Sequence, residues 1–283
     1  MLNKMNGFLL VNKEKGFSSN SVVQNIKKNY SLKKVGHLGT LDPEAEGLLI
    51  LAVNRATKFS SYFLNSDKSY FVEIKLGIIT DTDDGTGKII KECDVNCSKE
   101  NVKKEIKKFL GESFQKPPFF SALKHKGKPL YKYARNGQFI DKKPRKIEIK
   151  QIKNITYEGS ICSFELSCTK GTYIRSLARD LGENLGCGGH MKSLKRLTQH
   201  TFDIKNSFKV KNISMSNIIK IDDAFKDQKK IILNKEDLKI FKNGGRVNMN
   251  SKPIDLIRIY DQSKDFVGIG RIFDNQLKHK QLV

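Results

Sequence analysis

The distribution of apolar and polar residues along the chain predicts a protein of mixed α and β structure. Short apolar or alternating runs are typical of strands, and other stretches carry apolar residues three and four positions apart, which is typical of helices. Strands are predicted at 7–12, 48–53, 69–76, 88–91, 146–157, 160–169, 254–260, 266–273 and 277–283. Helices are predicted after a cap at Ser18 or Ser19, at 55–64, from Ser98 to Gly111, from Ile174 to Gly186 and at 235–241. Hairpin-like pairs of strands favour an α+β fold with a largely antiparallel mixed sheet.

A polar run at 226–230 marks a possible domain boundary. The residues beyond it number roughly 55 and hold one short helix, a turn at Asn243-Gly244-Gly245 and three predicted strands, which suits a small β-barrel module. The sequence therefore predicts a larger domain over 1–228 and a small β-rich domain over 229–283.

The charge of the chain is its first indication of function. Its 283 residues include 53 Lys or Arg against 30 Asp or Glu, a formal net charge of +23. Such an excess favours a polyanionic partner, which is a nucleic acid or an anionic membrane surface. No run of 18 or more apolar residues occurs, and the N-terminus lacks the apolar segment of a signal peptide. We therefore expect a soluble, cytoplasmic protein that does not bind membranes.

The cysteines and the motifs that are absent limit the chemistry. Five cysteines, an odd number without paired metal-ligand spacing, indicate a reduced compartment and no structural zinc. The sequence contains no HExxH, EF-hand, P-loop or GxGxxG pattern. We therefore expect neither a metal nor a cofactor.

The segment at 116–150 differs in composition from its surroundings. It contains 11 Lys or Arg and only two acids, Asp141 and Glu148, and it includes Pro117-Pro118-Phe119-Phe120 and two tyrosines. A run of charge is usually a solvated loop. An excess of one sign with interleaved aromatic residues is also typical of an arm that contacts RNA. Composition leaves both interpretations open.

A glycine-rich loop from Gly36 to Gly47 presents one His and one Asp and leads into an apolar run at 48–53. Glycines permit close approach of a bulky ligand, so Asp42 is a candidate catalytic acid at the floor of a cleft. The alternative is a turn role, because Asp followed by Pro often marks a turn. His37 is a candidate general base or metal ligand, although a single His more often packs, stacks or contacts phosphate.

The glycine-rich loop also carries the strongest resemblance to a known family. The block Gly36-His37-Leu38-Gly39-Thr40-Leu41-Asp42-Pro43, with Ala45, Gly47 and Leu48, resembles the catalytic motif of the TruB family of tRNA pseudouridine synthases. Further blocks match that family in order along nearly the whole chain: Lys13 to Ser19, the Tyr70 strand, Ser121-Ala122-Leu123-Lys124, Lys170 to Arg175, Leu185 to Gly188, and Lys242-Asn243-Gly244. One departure is Glu14, where the family usually has Pro.

The resemblance implies conversion of uridine to pseudouridine at position 55 in the tRNA T arm, without a cofactor. It implies that Asp42 is the nucleophile, that Tyr70 stacks on the base and accepts a proton, and that Arg175 holds Asp42 ionised. Asp84 either shares Arg175 or is a turn residue. It further implies that Tyr173 and Leu194 line the uridine pocket and that His37 fills the space left by flipped bases.

The same resemblance gives the other regions a role in binding RNA. It implies that the 116–150 segment grips the T loop and that residues 229–283 form a PUA-like domain. The expected RNA-binding residues are Lys13, Lys124, Lys126, Lys128 and Arg135. We expect a monomer that acts on tRNA without an obligatory protein partner. Two alternatives stay open, which are a guide-RNA-dependent pseudouridine synthase and a non-catalytic tRNA chaperone.

Overall fold

A ten-stranded mixed sheet organises the larger part of the chain, and a five-stranded sheet organises its C-terminal part. The computed structural model describes residues 5–283. The strands are β1 Gly7–Lys13, β2 Val35–His37, β3 Glu46–Val53, β4 Lys68–Leu76, β5 Ile78–Thr80, β6 Ile89–Glu92, β7 Gly111–Gln115, β8 Lys124–His125, β9 Lys128–Pro129, β10 Arg145–Glu158, β11 Ile161–Cys168, β12 Gly189–Gln199, β13 Phe202–Asp203, β14 Ile219–Lys220, β15 Lys230–Ile232, β16 Val247–Asn248, β17 Ile254–Tyr260, β18 Phe266–Phe273 and β19 Gln276–Leu282. The α-helices are α1 Ser19–Asn29, α2 Ser60–Leu64, α3 Lys99–Lys108, α4 Leu130–Ala134, α5 Ile174–Asn184 and α6 Lys235–Lys242. Short 3-10 helices span Asn54–Phe59, Ile204–Asn206, Val210–Asn212, Met215–Asn217 and Asp223–Phe225.

The large sheet has the order β14-β1-β3-β12-β4-β11-β10-β7, with β2 beside β3 and β13 beside β12. All of its pairs are antiparallel except the short parallel contact of β3 with β12. This arrangement confirms the predicted α+β class with a largely antiparallel sheet. No helix among residues 5–283 has the length and apolar character that spanning a bilayer requires.

Strand β3 is buried on both faces, which explains its continuous apolar run. Side chains alternate between the two faces of a strand. Leu49 and Leu51 pack in the cluster that contains the apolar faces of α1, α3 and α5. Leu48 and Ile50 pack in a second cluster with Phe59, Phe63 and Phe225. The glycine-rich loop therefore leads directly into one of the most deeply packed strands of the molecule.

Several short strands, among them β5, β7 and β15, are absent from the sequence prediction, and two longer stretches also differ from it. The helix predicted over 55–64 is a 3-10 helix at Asn54–Phe59 followed by the single-turn α2, and Phe59 and Phe63 are still buried as the apolar spacing indicates. Strand β12 is absent from the predicted elements, because three basic residues interrupt its apolar alternation and its pairing with β4 contains two register shifts. Strand β12 contributes three residues to the site described below, Met191, Leu194 and Arg196.

The basic segment forms an arm between β7 and β10. It contains the two-residue hairpin β8–β9 and the one-turn helix α4, whereas residues 145–150 belong to β10. The arm therefore spans 116–144. At its base, Gln115 exchanges two hydrogen bonds with the backbone of Tyr173, at 2.8 and 3.0 Å. The side chains of Ser176 and Arg179 both donate to the carbonyl of Lys116. The start of α5 thus fixes the base of the arm.

The C-terminal sheet has the order β15-β17-β18-β19-β16 and its own core around Phe241 and Ile257. This part is also packed against the larger sheet. Ile269 is fully buried in the second cluster of the larger domain, and the Phe266 ring centre lies 6.4 Å from that of Phe59. Arg258 donates to the carbonyls of Lys226 and Gln228 across the predicted boundary. The two parts share one apolar interface.

Candidate active site

A buried lysine holds the glycine-rich loop next to Asp42. Lys13, at the end of β1, is fully buried, and its Nζ donates to the carbonyls of Glu14, Phe17 and Pro43 at 3.1, 2.6 and 3.0 Å. Burial lowers the pKa of Lys13 to about 8. The expected surface contact of Lys13 with RNA does not fit this position, because all three donors of the ammonium are already used. Glu14, in the turn that follows, forms an ion pair with Lys209 at 3.0 Å.

Asp42 and Arg175 form an ion pair at the centre of the site. Arg175 Nε lies 3.0 Å from Asp42 Oδ2, and the carboxylate stays 39% exposed while the guanidinium is buried. Arg175 occupies the first turn of α5, whose opposite face packs Leu177 and Leu181 into the core. The fold therefore brings the sequence-predicted pair together, with the Asp42 carboxylate accessible and the Arg175 guanidinium buried.

Arg175 also connects the Asp42 loop to two other segments. Its Nη1 donates to the carbonyl of Thr82 at 3.3 Å, and its Nη2 donates to the carbonyl of Phe120 in the arm at 2.8 Å. Asp84 Oδ2 lies 3.8 Å from Nη1. The other carboxylate oxygen of Asp84 accepts from the Thr82 hydroxyl and from the amide and hydroxyl of Thr86. Asp84 thus shares Arg175 and also closes its own turn, so both interpretations of this residue describe part of its surroundings.

Two cavities meet at Asp42 and Arg175. The inner cavity measures about 310 Å³, and its lining includes Tyr70, Tyr173 and Leu194. The outer cavity measures about 590 Å³, and its lining includes His37 and the arm residues Phe120, Tyr131 and Arg135. Asp42 and Arg175 line both cavities. A group bound in the inner cavity therefore faces the Asp42 carboxylate. The rest of the same ligand has room in the wider cleft under the arm.

The walls of the inner cavity combine apolar surface with hydroxyl groups. Tyr70 lies in β4 and Leu194 in β12, and both are buried. Burial raises the pKa of Tyr70 to about 12, an effect that Arg196 partly opposes. Burial also raises the pKa of Tyr173, which precedes α5. Both phenols are therefore protonated near neutral pH, and the cavity offers aromatic faces with O–H groups at their edges.

Arg196 is a residue of this cavity that the sequence prediction missed. It is 1% exposed and lines the inner cavity. Its Nε donates to the carbonyl of Leu48 at 2.7 Å, and its Nη2 donates to the carbonyl of Gly39 at 3.0 Å. Arg196 is the direct cross-strand partner of Tyr70. The available signal was its spacing of two from Leu194, which places both side chains on one face of a strand.

Two glycines of the loop allow Arg196 to approach. A Cβ on Gly39 would lie 3.3 Å from Arg196 Nη1, and a Cβ on Gly47 would lie 2.3 Å from the Arg196 carbonyl oxygen. Both glycines have positive φ, at 128° and 100°. The glycines that suggested room for a ligand therefore also make room for a buried arginine.

His37 is the last residue of β2 and lines the outer cavity. Its Nδ1 is buried without a hydrogen-bond partner within the described part of the chain. Burial and the nearby Arg196 lower the pKa of His37, so the imidazole is neutral at neutral pH. No group of three or more His, Cys, Asp or Glu side chains within residues 5–283 is arranged to hold a metal ion.

The basic residues of the arm lie at the outer cavity and beyond it. Arg135 lies over the ring of Tyr131 at 5.5 Å, and both line the outer cavity. Lys128 lies 5.0 Å from the ring centre of Tyr133. Lys124 and Lys126 are exposed in the β8–β9 hairpin. The arm thus presents cations that are stacked on aromatic rings next to the cleft.

Comparison with protein families gives matches along most of the chain. The model described as "TruB family pseudouridylate synthase (N terminal domain)" matches residues 27–174. The "tRNA pseudouridylate synthase B C-terminal domain" matches residues 175–236, and "Pseudouridine synthase II TruB, C-terminal" matches residues 230–283. The first match covers more than half of the chain and includes the Asp42 loop.

Individual proteins show the same similarity. The tRNA pseudouridine synthase B of Clostridium kluyveri is 41% identical over 287 residues, which cover 98% of this chain and 99% of that protein. The tRNA pseudouridine synthase B of Blochmanniella floridana is 51% identical over 193 residues, which cover 68% of this chain and 76% of that protein. Among solved structures, a Cbf5-Nop10-Gar1 complex matches with a TM-score of 0.72 at 23% identity, covering 98% of this chain and 84% of that one. The structural match supports the fold alone.

Proposed function

The chain belongs to the TruB family of pseudouridylate synthases, and on that premise we propose that it converts uridine 55 in the T arm of tRNA to pseudouridine, with Asp42 as the nucleophile. The enzyme is a tRNA pseudouridine synthase with a pseudouridine synthase fold and a PUA-like C-terminal domain. The observation that carries the assignment of the site is the Asp42–Arg175 ion pair at the junction of the two cavities.

The inner cavity suits one flipped nucleotide. Its volume of about 310 Å³ falls at the lower end of the range for small-ligand sites. A uridine inside a folded loop must leave its stack to enter, at a cost of a few kcal/mol. Tyr70 offers a face for stacking, and Leu194 and Tyr173 complete the wall. In this proposal His37, which lines the outer cavity, fills the space left by the flipped base.

The reaction needs a nucleophile but no redox group. The bond between N1 of the base and C1′ of the ribose must break, the base must turn, and a bond from C5 to C1′ must form, while C5 loses its proton and N1 gains one. An exposed carboxylate held by a buried guanidinium can attack the sugar and release it again. Asp42 meets both conditions, because Arg175 fixes one of its oxygens and the other remains free to react. Asp84 keeps Arg175 in place as a positioning residue.

The arm supplies contacts outside the cavity. RNA loops are recognised through shape, backbone and splayed bases. Arg135 with Tyr131 and Lys128 with Tyr133 offer a cation and an aromatic face side by side. We propose that these groups, with Lys124 and Lys126, hold the T loop over the outer cavity. The PUA-like domain over 229–283 extends this RNA surface from the catalytic domain over 1–228, and we propose that the enzyme acts in the cytoplasm as a monomer without a protein partner.

Replacing Asp42 by Asn tests the proposal. The purified chain is incubated with an unmodified tRNA and with an isolated T-arm hairpin, and pseudouridine is mapped by chemical derivatisation and primer extension. Wild-type protein should modify position 55 in both RNAs. Asp42→Asn should lose at least about 10⁴-fold in rate while its tRNA affinity changes little, since the amide keeps the shape of the carboxylate.

The outcomes separate the alternatives. Activity on the hairpin without added RNA excludes a guide-RNA-dependent enzyme. A wild-type protein that refolds tRNA while leaving every uridine unchanged would support the chaperone and overturn the assignment. Asp180→Asn is a matched control, because Asp180 also pairs with an arginine of α5, at 2.8 Å, but does not line either cavity.

A further inference from the structure

A buried cation in the wall of the inner cavity has no acidic partner. Arg196 takes part in none of the ion pairs formed among residues 5–283. Arginine is rarely buried unless it is paired, because removing the charge from water is costly. A position that retains such a charge, beside reacting groups, is typical of a functional site.

Two of the hydrogen bonds of Arg196 hold it in one orientation. The carbonyls of Leu48 and Gly39, on either side of the Asp42 loop, accept from Nε and Nη2. A guanidinium has five N–H groups, so donors remain after these two bonds. Gly39 packs close to Nη1, because a Cβ added at Gly39 would lie only 3.3 Å from that nitrogen. The orientation of the charge is therefore set by the backbone of the nucleophile loop.

Tyr70 lies directly opposite Arg196 on the neighbouring strand. Directly opposed residues of antiparallel strands hold their Cβ atoms about 4.5–5.5 Å apart on one face of the sheet. Arg196 and Tyr70 are such a pair, and both line the inner cavity. The other charged or titratable groups that act on Tyr70 are Asp42 and Cys168. Arg196 is thus the cation that acts on the Tyr70 phenol.

We propose that Arg196 is a positioning residue that binds the Tyr70 oxygen and stabilises the negative charge that forms there when the Tyr70 O–H gives its proton to N1 of the detached uracil, until the phenol regains a proton from C5. Because arginine only donates, the phenol oxygen must accept this bond, and the Tyr70 O–H is then directed into the cavity. The same guanidinium fixes the Gly39 and Leu48 carbonyls. One side chain therefore sets Tyr70 relative to the Asp42 loop. The inference rests on the proposed function for its meaning in catalysis.

A titration that needs no RNA tests the contact directly. A ring-fluorinated tyrosine is placed at position 70 by codon reassignment, and its ionisation is followed by ¹⁹F NMR in the Arg196 and Arg196→Gln proteins. Loss of the cation should raise the pKa of the phenol by at least about one, a tenfold change in the ionisation constant. Lys195→Gln removes the same charge from the exposed neighbouring residue and should leave the pKa of the phenol at position 70 unchanged.

A double-mutant cycle tests the role in the reaction. Under single turnover at saturating tRNA, Arg196→Gln should slow pseudouridine formation by about 100-fold, as for removal of a preorganised donor. In a Tyr70→Phe background the same substitution should slow pseudouridine formation by less than about threefold, because the Tyr70 hydroxyl through which Arg196 acts is gone. Arg196→Lys, which keeps the charge, should recover part of the rate.

The outcomes are decisive in each direction. An unchanged pKa at position 70 in Arg196→Gln, or an equal rate penalty in both backgrounds, would show that Arg196 only supports the backbone and would overturn the proposal. If the Gln variant does not fold, Arg196→Lys is titrated instead. A pKa rise of about one half then supports the contact, because an ammonium cannot reproduce the planar fork, and no rise overturns it. Inactive wild-type protein would refute the proposed function, while the titration would still report on the contact.

Discussion

Glycine and basic residues determine the shape of the Asp42 loop as much as its acid does. Lys13 binds the carbonyl of Pro43, next to Asp42, together with two carbonyls of the 14–17 turn. Arg196 binds the carbonyls of Gly39 and Leu48, on either side of Asp42. Gly39 and Gly47 give Arg196 the space that this requires. The backbone on either side of Asp42 is thereby fixed, which is the preorganisation that the proposed role of its carboxylate requires.

Gly47→Ala should destabilise the protein strongly. A Cβ at this position would lie 2.3 Å from the Arg196 carbonyl oxygen, and φ is +100°. We expect a loss of about 3 kcal/mol in the free energy of unfolding, measured by urea titration. Gly159→Ala is the matched control, because Gly159 has a φ of +61° and no atom within 4 Å of an added Cβ. The control should cost about 1 kcal/mol. Equal costs would contradict a steric role for Gly47.

The buried Lys13 should make stability depend on pH. A lysine in the unfolded chain keeps its proton up to about pH 10.5, whereas burial lowers the pKa of Lys13 to about 8 in the folded protein. Between these values the unfolded state binds more protons, so the free energy of unfolding rises with pH. The contribution is complete above the unfolded pKa and is lost as the pH falls through about 8.

Urea titrations near pH 7.5 and near pH 9.5 measure this contribution. Wild-type protein should gain more stability between the two conditions than Lys13→Met does. Lys15→Met, which removes an exposed lysine in the same turn, controls for the change in net charge. The prediction fails if wild-type and Lys13→Met proteins show the same difference between the two pH values.

The residues that the sequence identified and the one that it missed differ in a physical way. Asp42, Tyr70 and Arg175 lie in motifs that resemble a family pattern, and the fold brings Asp42 and Arg175 to 3.0 Å. Arg196 shares a strand face with Leu194, but charged residues are usually exposed, so the sequence gives little reason to expect it in the interior. Its burial depends on carbonyls of Gly39 and Leu48, more than 140 residues away in the chain, which no local pattern contains.

At the level of elements, predictions succeeded where one face is buried and failed where burial is irregular. The alternation of β4 and β11 gives regular pairing across eight positions. Strand β12 contains Lys192, Lys195 and Arg196, and its register shifts at two places against β4. A bulge moves the side chains that follow it to the other face, so a strict period of two does not describe such a strand.

The arm offers the element-scale test of RNA binding. Replacing Lys124, Lys126 and Lys128 by Ala should weaken tRNA binding and reduce the slope of log affinity against log salt. The reduction should be about 0.9 for each duplex phosphate that the variant no longer neutralises, or about 0.7 for single strands. Binding is measured by filter retention at several salt concentrations.

The matched control substitutes three exposed lysines of α3, Lys99, Lys104 and Lys107, by Ala. This variant removes the same charge outside the arm and should keep a steeper slope than the arm variant. If both triple variants show the same slope, the arm is a solvated loop whose charge acts only through the net field of the protein.

At the scale of the whole molecule, the composition predicted two domains but not how firmly they are joined. The run at 226–230 suggested a linker, yet Arg258 donates to two carbonyls within it. The apolar residues that form the contact, such as Ile269 and Phe266, lie on strands whose other face packs the C-terminal core. Both faces of β18 are therefore used, and sequence periodicity cannot say which neighbour covers the second face.

This shared interface predicts that the two domains unfold together. Ile269→Ala removes a fully buried side chain that packs with the catalytic domain, and Ile257→Ala removes one from the C-terminal core. Each should lower the free energy of unfolding by about 2–5 kcal/mol. Hydrogen exchange should then accelerate in β3, deep in the catalytic domain, for both variants, because a single cooperative unit opens as a whole. Faster exchange that is confined to residues 229–283 in Ile257→Ala would instead show that the C-terminal domain opens alone and that its packing against the catalytic core is weak.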